Sequence, residues 1–164
     1  MFLYSGSLSA QGQMNFSQLP EEIQTHVRDV QRSCRELDPD RKFAAMSGIQ
    51  ILSLNGDGTR DIFVDNGEIC GNAMPGANCS NRGCDLAIYK EIARGRWSKV
   101  FGEHLHEKHL SIDWNTMRLQ QMVVAINAGD ARCRPDPRKE YTSGKSCNLT
   151  VKWQNNRWVW LKIK

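Results

Sequence analysis

The chain has 164 residues, of which 40% are hydrophobic and 24% charged, and its formal net charge is +4. Length and composition are those of one ordinary globular domain with a sizeable core. The mild positive charge argues against a nucleic-acid partner, because nucleic-acid-binding domains concentrate far more basic charge on one face. No run approaches the roughly 18 apolar residues that would cross a bilayer, so we expect no transmembrane segment.

The N-terminal segment has the character of a leader. Residues 1–10 end in the tripeptide LSA, which resembles a signal-peptide cleavage site, but the segment has no basic start and only a short apolar run. We interpret it as a signal-peptide remnant or an unrelated leader. We expect residues 1–17 to be disordered or extended, and residues 18–164 to form a single domain.

The first regular element is predicted to be an amphipathic helix. Pro20 suits the first helical turn, and the acidic Glu21 and Glu22 favour the positive end of the helix dipole. Apolar residues then recur every three or four positions at Ile23, Val27, Val30, Cys34 and Leu37. Pro39 ends the element because proline cannot continue a helix. We expect this apolar stripe to pack on a sheet.

A polar turn follows, between strands predicted at 48–54 and 59–65. Oxygen-bearing side chains alternate through it at Asn55, Asp57, Thr59 and Asp61. Calcium loops use such spacing around a glycine, although their usual first Asp and final Glu are replaced here by Ser53 and Val64. The alternative is a plain hairpin turn, in which Asn-Gly and Asp-Gly supply the positive φ angles.

The pattern N-G-D-G-x-x-D before an apolar strand resembles the loop of FG-GAP and VCBS-type repeat proteins. It also resembles a loose set of small, uncharacterised, cysteine-containing secreted bacterial proteins. The resemblance covers about a dozen residues in one copy, whereas a repeat protein would show several copies. It therefore does not predict a propeller.

Further strands are predicted from alternating apolar residues and turn signals, at 85–91, 97–101, 110–114, 121–126, 148–153 and 158–163. The segments 66–83 and 127–146 are predicted as long loops. The sequence therefore predicts an α+β fold with an N-terminal amphipathic helix packed on a mostly antiparallel sheet of about eight short strands. Short sequential connections favour a meander, rolled or sandwiched.

Six cysteines form no C-x-x-C pair, which disfavours zinc and favours three disulfides in an oxidising compartment. They are Cys34, Cys70, Cys79, Cys84, Cys133 and Cys147. Of the 15 possible pairings, we favour two that close short loops, Cys79–Cys84 and Cys133–Cys147. The remaining pair, Cys34–Cys70, would connect the first helix to the sheet.

Two polar clusters are candidate sites. If the segment 103–109 is extended, His104 and His106 point to one side and suit Zn²⁺ or Cu²⁺, whereas the alternative is a polar loop or exposed hairpin. Basic side chains in the loop closed by Cys133 and Cys147 could dock an acidic partner or remain solvated. They are Arg132, Arg134, Arg138 and Lys139.

An aromatic cluster near the C-terminus has two interpretations. Trp158 and Trp160 alternate on the last predicted strand, with Trp153 across the turn. Indoles on one sheet face can form a platform for a sugar or peptide. We favour the other interpretation, in which they belong to the core beneath the helix.

These patterns favour binding over catalysis, since no G-x-S-x-G or other serine motif predicts a triad and no H-E-x-x-H predicts a metalloprotease. We expect a periplasmic or secreted, disulfide-stabilised domain that binds a protein partner, either an envelope component or a foreign hydrolase to be inhibited. A calcium-binding module at the 55–61 turn is the first alternative. A metal-assisted hydrolase using the histidine cluster is the second.

Overall fold

The computed structural model describes residues 14–71, 79–80, 83–133 and 145–162. A short 3₁₀ turn at Phe16–Gln18 precedes helix α1 at Glu21–Leu37, and helix α2 spans Asn66–Cys70. The strands are β1 Ile49–Leu52, β2 Asp61–Asp65, β3 Cys79–Ser80, β4 Gly83–Ala93, β5 Arg96–Leu105, β6 Glu107–Asp113, β7 Arg118–Asn127, β8 Ser146–Gln154 and β9 Arg157–Lys162. The predicted α+β class is confirmed.

Helix α1 begins and ends where the sequence predicts. Pro20 takes the N-cap position, and the chain leaves the helix at Asp38, just before Pro39. The apolar stripe is buried through its first four members, Ile23, Val27, Val30 and Cys34. Leu37 is 51% exposed. About three turns of the helix therefore bury their apolar side, and the last residue of the stripe lies at the surface.

Helix α1 packs on one face of a five-stranded antiparallel sheet, sheet A. Strand β2 lies inside this sheet between β1 and β4, while β3 and β5 also pair with β4. Successive side chains of β2 point to opposite faces of the sheet and pack in two different cores. Ile62 and Val64 pack with α1, and Phe63 packs on the opposite side with the second sheet. All five β2 residues are buried for this reason.

The second sheet, sheet B, has the antiparallel order β6-β7-β8-β9. Only His106 separates β5 from β6, so the chain passes from one sheet to the other through a single bend. A second connection between the sheets lies just after β1, where Ser53 forms an isolated parallel β-bridge with Arg118. The molecule thus has three layers, helix, sheet A and sheet B, and the expectation of a rolled or sandwiched arrangement is correct.

Two regions for which a loop was considered contain regular structure. The segment 103–109, for which the alternatives were an extended chain and a polar loop or exposed hairpin, is extended on both sides of the His106 bend, because Leu105 anchors it in the core between the sheets. The predicted loop 66–83 contains α2 and β3. Asp65 starts α2 by accepting hydrogen bonds from the N–H groups of Gly67 and Glu68. The prediction of a continuous loop at 66–83 is wrong, and of the alternatives at 103–109 the extended conformation is the one present.

The tryptophans of the last hairpin belong to a core, but not to the one under the helix. Trp158 and Trp160 pack on Phe101 of β5, with ring centroids 5.0 and 5.9 Å apart. Trp158 Nε1 also donates a hydrogen bond to the Val100 carbonyl oxygen at 2.9 Å. The expectation that this face lies beneath α1 is wrong, because α1 covers the opposite face of sheet A.

The three favoured disulfides are all present. Cys34–Cys70 joins α1 to α2 rather than to a strand, Cys79–Cys84 joins β3 to β4, and Cys133–Cys147 closes the loop before β8. Of the helices in the described ranges, none combines the length and the apolar character needed to span a bilayer.

The described structure includes the end of the predicted leader. Met14 and Phe16 pack against the core between α1 and sheet A. Asn15 and Gln18 form reciprocal capping hydrogen bonds around the 3₁₀ turn. Residues 14–17 therefore belong to the folded unit, whereas residues 1–13, with the LSA tripeptide, lie outside the described part of the chain.

Candidate functional site

Strand β1 has an unpaired edge beside a groove. In the described part of the chain, β1 is an edge strand of sheet A and pairs only with β2. Just beyond its end, the Ser53 N–H donates to the Met117 carbonyl at 2.8 Å, and the Ser53 carbonyl accepts from the Leu119 N–H at 2.9 Å. Backbone groups of alternate residues in a strand point the same way. The N–H and C=O of Ile51 therefore point away from β2.

The pairing with β2 gives the same direction for Ile51. The Asp65 N–H donates to the Gly48 carbonyl at 2.8 Å, and the register continues with Gln50 opposite Phe63. Even-numbered residues of this segment thus bond to β2, and odd-numbered residues face outward. Among the described residues, nothing pairs with the outward backbone groups of Ile51.

A groove of about 620 Å³ runs along this edge. It is lined by Met14, Asn15, Met46, Ile49, Ile51, Leu52, Ser53, Gly58, Thr59, Arg60, Thr116 and Met117. Apart from Arg60, these lining residues are uncharged. The β6–β7 hairpin that supplies Met117 also carries Trp114, whose side chain is 69% exposed. The site therefore combines a strand edge that no described residue pairs, a largely uncharged lining and one cation, and an exposed indole lies on the adjoining hairpin.

A second depression, of about 630 Å³, lies beside the first turn of α1. Pro20, Glu21, Glu22, Thr25, Gly95, Arg96 and Trp97 line it. Acidic and basic side chains share this depression, whereas the lining of the groove along β1 has one charged residue, Arg60. We therefore regard the groove along β1 as the better candidate site.

The predicted calcium ligands take up different local roles. The Asp57 carboxylate accepts hydrogen bonds from the Thr59 N–H, the Thr59 hydroxyl and the Asn55 side-chain amide. Desolvation alone would raise the pKa of Asp57, but these hydrogen bonds together outweigh it and hold the pKa below its ordinary value. With Gly56 and Gly58 at φ +72° and +80°, the segment is a self-bonded turn.

Asp61 points the other way, into the protein. Its side chain is fully buried, accepts a hydrogen bond from the Leu54 N–H at 2.8 Å and lies 3.3 Å from Lys90 Nζ. Burial raises the pKa of Asp61, while the Leu54 N–H and the Lys90 ammonium act in the opposite direction. The structure thus pairs Asp61 with a cation of β4 instead of turning it toward Asp57.

His104 is held between two other polar side chains. On β5 it lies directly opposite Asp85 of β4. Its Nδ1 is 2.7 Å from Asp85 Oδ1, and its Nε2 is 3.1 Å from Ser80 Oγ on β3. Sequence analysis missed this arrangement, since the three residues follow no compact motif and the strand register alone brings them together.

His106 occupies the bend between the sheets. Its backbone N–H donates to the Ala125 carbonyl at 2.8 Å, while its Nε2 atom is buried without a hydrogen-bond partner in the described structure. Both ring nitrogens of His104 are already engaged. Within the described ranges, no three His, Cys, Asp or Glu side chains are arranged to hold a metal ion.

Arg132 contacts other parts of the protein. Its guanidinium makes two hydrogen bonds to Glu103, at 2.9 and 3.0 Å, and further bonds to Asp130. It also lies 4.1 Å from the ring centroid of Trp160. The Asp130 and Glu103 hydrogen bonds raise the pKa of Arg132. This cation holds β5, β9 and the loop after β7 together. The other three predicted partner-binding residues, Arg134, Arg138 and Lys139, lie outside the described residues.

Comparison of the chain with known proteins finds no matching family model, no matching curated protein and no matching solved structure.

Proposed function

We propose that this protein is an extracytoplasmic binding domain that takes up an extended segment of a partner protein along the free edge of β1. The observation that carries the proposal is the outward N–H and C=O of Ile51, which no described residue pairs, at the floor of a groove. An incoming strand satisfies such groups with main-chain hydrogen bonds, and pockets along the edge select its side chains.

The chemistry of the groove defines the partner segment. Side chains of an added strand alternate between its two faces, so one set meets the apolar wall formed by Met46, Ile49 and Met117. The single cation, Arg60, favours an acidic residue or a terminal carboxylate in the segment. Trp114 offers a large exposed aromatic surface of the kind enriched at protein interfaces.

The disulfides support a location outside the reducing cytosol. All six cysteines are paired, and such bonds persist in oxidising compartments such as the periplasm or the extracellular space. The protein therefore works in the periplasm or after secretion. Its partner is an envelope component or a protein encountered outside the cell, including a foreign hydrolase to be inhibited.

The test uses a proline at the outward-facing position. Ile51→Pro removes the N–H that faces the groove but none that bonds to β2, and proline is tolerated on edge strands in that orientation. Ile51→Val keeps the N–H and is the matched control. Ten-residue peptides are selected from a random library on the oxidised wild-type protein. Their affinity for the wild type and both variants is then measured by titration calorimetry.

We expect selected peptides to show apolar residues at every second position, with one acidic residue. Ile51→Pro should weaken binding at least tenfold, Ile51→Val should change it little, and Trp114→Ala should also weaken it. Hydrogen exchange of the Ile51 amide should slow in the complex. Peptides that bind Ile51→Pro as tightly as wild type would refute the proposal. So would a groove closed by a second copy, detected as a dimer by sedimentation.

A further inference from the structure

We propose that Ser80 is a nucleophile activated by His104 and oriented through Asp85, and that this site hydrolyses small activated esters. The atoms form a continuous hydrogen-bonded chain, with 3.1 Å from Ser80 Oγ to His104 Nε2 and 2.7 Å from His104 Nδ1 to Asp85 Oδ1. A nucleophile bonded to a base, which is in turn bonded to an orienting group, is the arrangement that nucleophilic catalysis requires.

Three adjacent strands place these side chains on one face of sheet A. Asp85 and His104 are direct cross-strand partners on β4 and β5. Ser80 of β3 is paired with Gly83, two residues before Asp85, so all three side chains project from the same face. Gly83 carries no side chain, and a Cβ there would lie 1.8 Å from the Leu105 carbonyl oxygen. Ser80 can therefore reach across to β5.

The Asp85 carboxylate determines the tautomer of His104. An ionised carboxylate can only accept hydrogen bonds. In the 2.7 Å contact between His104 Nδ1 and Asp85 Oδ1, the hydrogen must therefore be on Nδ1. In the neutral ring, Nε2 is then an acceptor, and the Ser80 hydroxyl must donate to it. This is the protonation pattern in which histidine can remove the serine proton.

The reaction follows from this pattern. Ser80 Oγ attacks the ester carbonyl carbon while its proton passes to His104 Nε2, and the bond between that carbon and the leaving alkoxide oxygen breaks. The alcohol departs with the proton from His104, or as a phenolate when it is acidic, in which case His104 releases its proton to solvent. Water then attacks the acyl carbon and gives a proton to the neutral His104, the bond between that carbon and Ser80 Oγ breaks, and Oγ takes the proton back as a carboxylic acid leaves. One ester and one water thus become one acid and one alcohol.

Exposure limits the substrate class. The side chains of His104 and Asp85 are 37% and 42% exposed, so the site is open to solvent and does not enclose a large substrate. Good leaving groups, such as phenolates, suit it because they need little protonation. The site joins β3, β4 and β5, whereas the groove of the proposed binding function follows the free edge of β1. Either function can fail without the other.

The experiment measures covalent labelling and turnover of the oxidised full chain. A fluorophosphonate probe should add to Ser80, as located by mass spectrometry of the digested protein, and 4-nitrophenyl acetate should be hydrolysed. Ser80→Ala should abolish both. His104→Gln should slow labelling about a hundredfold, the order expected for loss of a general base. Ser146→Ala and His109→Gln alter an exposed serine and histidine elsewhere and should leave both rates unchanged.

Asp85 acts through His104 as a positioning residue. Asp85→Asn should slow labelling at least tenfold and shift the pH profile of the rate, which a purely structural residue would not do. Circular dichroism and the mass of the three intact disulfides verify that each variant is folded. Absence of an adduct on Ser80 in folded wild-type protein overturns the proposal. An adduct that forms equally fast in His104→Gln also overturns it.

Discussion

At the scale of single residues, His26 links helix α1 to the sheet. Its Nδ1 lies 2.8 Å from the Tyr89 hydroxyl oxygen on β4. Burial lowers the pKa of His26, and the nearby Lys99 charge adds to that effect against weaker opposing contributions from Asn66, Asp85 and Asp29. Burial also raises the pKa of Tyr89, so the hydroxyl stays protonated at neutral pH. The folded protein therefore favours neutral His26.

This pKa shift predicts a loss of stability in mild acid. The unfolded chain binds a proton at His26 near the ordinary pKa of about 6.5, and the folded chain binds it only at lower pH. As the pH falls below 6.5, the unfolded state therefore gains protons first and the free energy of unfolding decreases. Urea unfolding at pH 7.5 and 5.0 should show this loss in the wild type and a smaller one in His26→Gln.

The exposed His109 provides the matched control, and His109→Gln should keep the wild-type dependence on pH. Comparing the variants cancels the contributions of all unchanged groups. Equal acid sensitivity in His26→Gln and His109→Gln would mean that His26 does not cause the loss.

At the scale of elements, helix α2 determines how β1 enters the sheet. Gly48 lies immediately before β1 with φ +73°. A Cβ at this position would lie 2.5 Å from the Asp65 carbonyl oxygen and 2.6 Å from Ile69 Cγ1. The close approach of β1 to α2 therefore requires glycine for its backbone angle and for its lack of a side chain.

A pair of alanine substitutions separates these two requirements. Gly95, in the β4–β5 hairpin, has nearly the same φ of +72°, but a Cβ there would meet nothing within 4 Å. Gly95→Ala should cost about 1 kcal/mol through its backbone angle. Gly48→Ala should cost roughly 1–3 kcal/mol more, because the added methyl must displace backbone and Ile69. Urea unfolding measures both, and equal losses would contradict the steric argument.

At the scale of the whole molecule, ion binding can be tested by thermal unfolding of the oxidised protein in Ca²⁺, Zn²⁺ or EDTA. We expect no change of midpoint with Ca²⁺, because Asp61 would have to leave Lys90 and the Leu54 N–H to join Asp57 around an ion. A bound ion at a hundred times its dissociation constant would add about 2.7 kcal/mol. That corresponds to roughly 5–10 °C in a domain of this size.

The variants Asp57→Ala and His104→Gln identify the source of any shift. A Ca²⁺ shift that disappears in Asp57→Ala would establish the 55–61 turn as a calcium site and contradict our expectation. A Zn²⁺ shift that disappears in His104→Gln would place a metal at the histidine, as the metal-assisted hydrolase hypothesis requires.

Features that depend on neighbours in the chain were predicted well. The bounds of α1 follow from a helical apolar stripe with prolines at both ends. The last hairpin turns at Asn155 and Asn156, whose φ angles of +50° and +58° are those of the tight turn that favours asparagine. Short loops also led to the right disulfides. Local patterns could not predict α2, whose start depends on the Asp65 side chain, and they left the segment around His106 open between an extended chain and a loop or hairpin.

The sequence by itself determined the class of the protein, its main helix, most of its strands and its disulfides, because periodicity, turn residues and cysteine spacing act over short distances. Only the tertiary structure decided which groups meet. The registers of β2, β3 and β5 against β4 place Asp61 against Lys90 and line up Ser80, His104 and Asp85. The order of the described strands places Ile51 at an edge, where none of the described residues pairs with its outward backbone groups. These outcomes depend on pairing between segments that are distant in the sequence, and local sequence patterns do not specify that pairing.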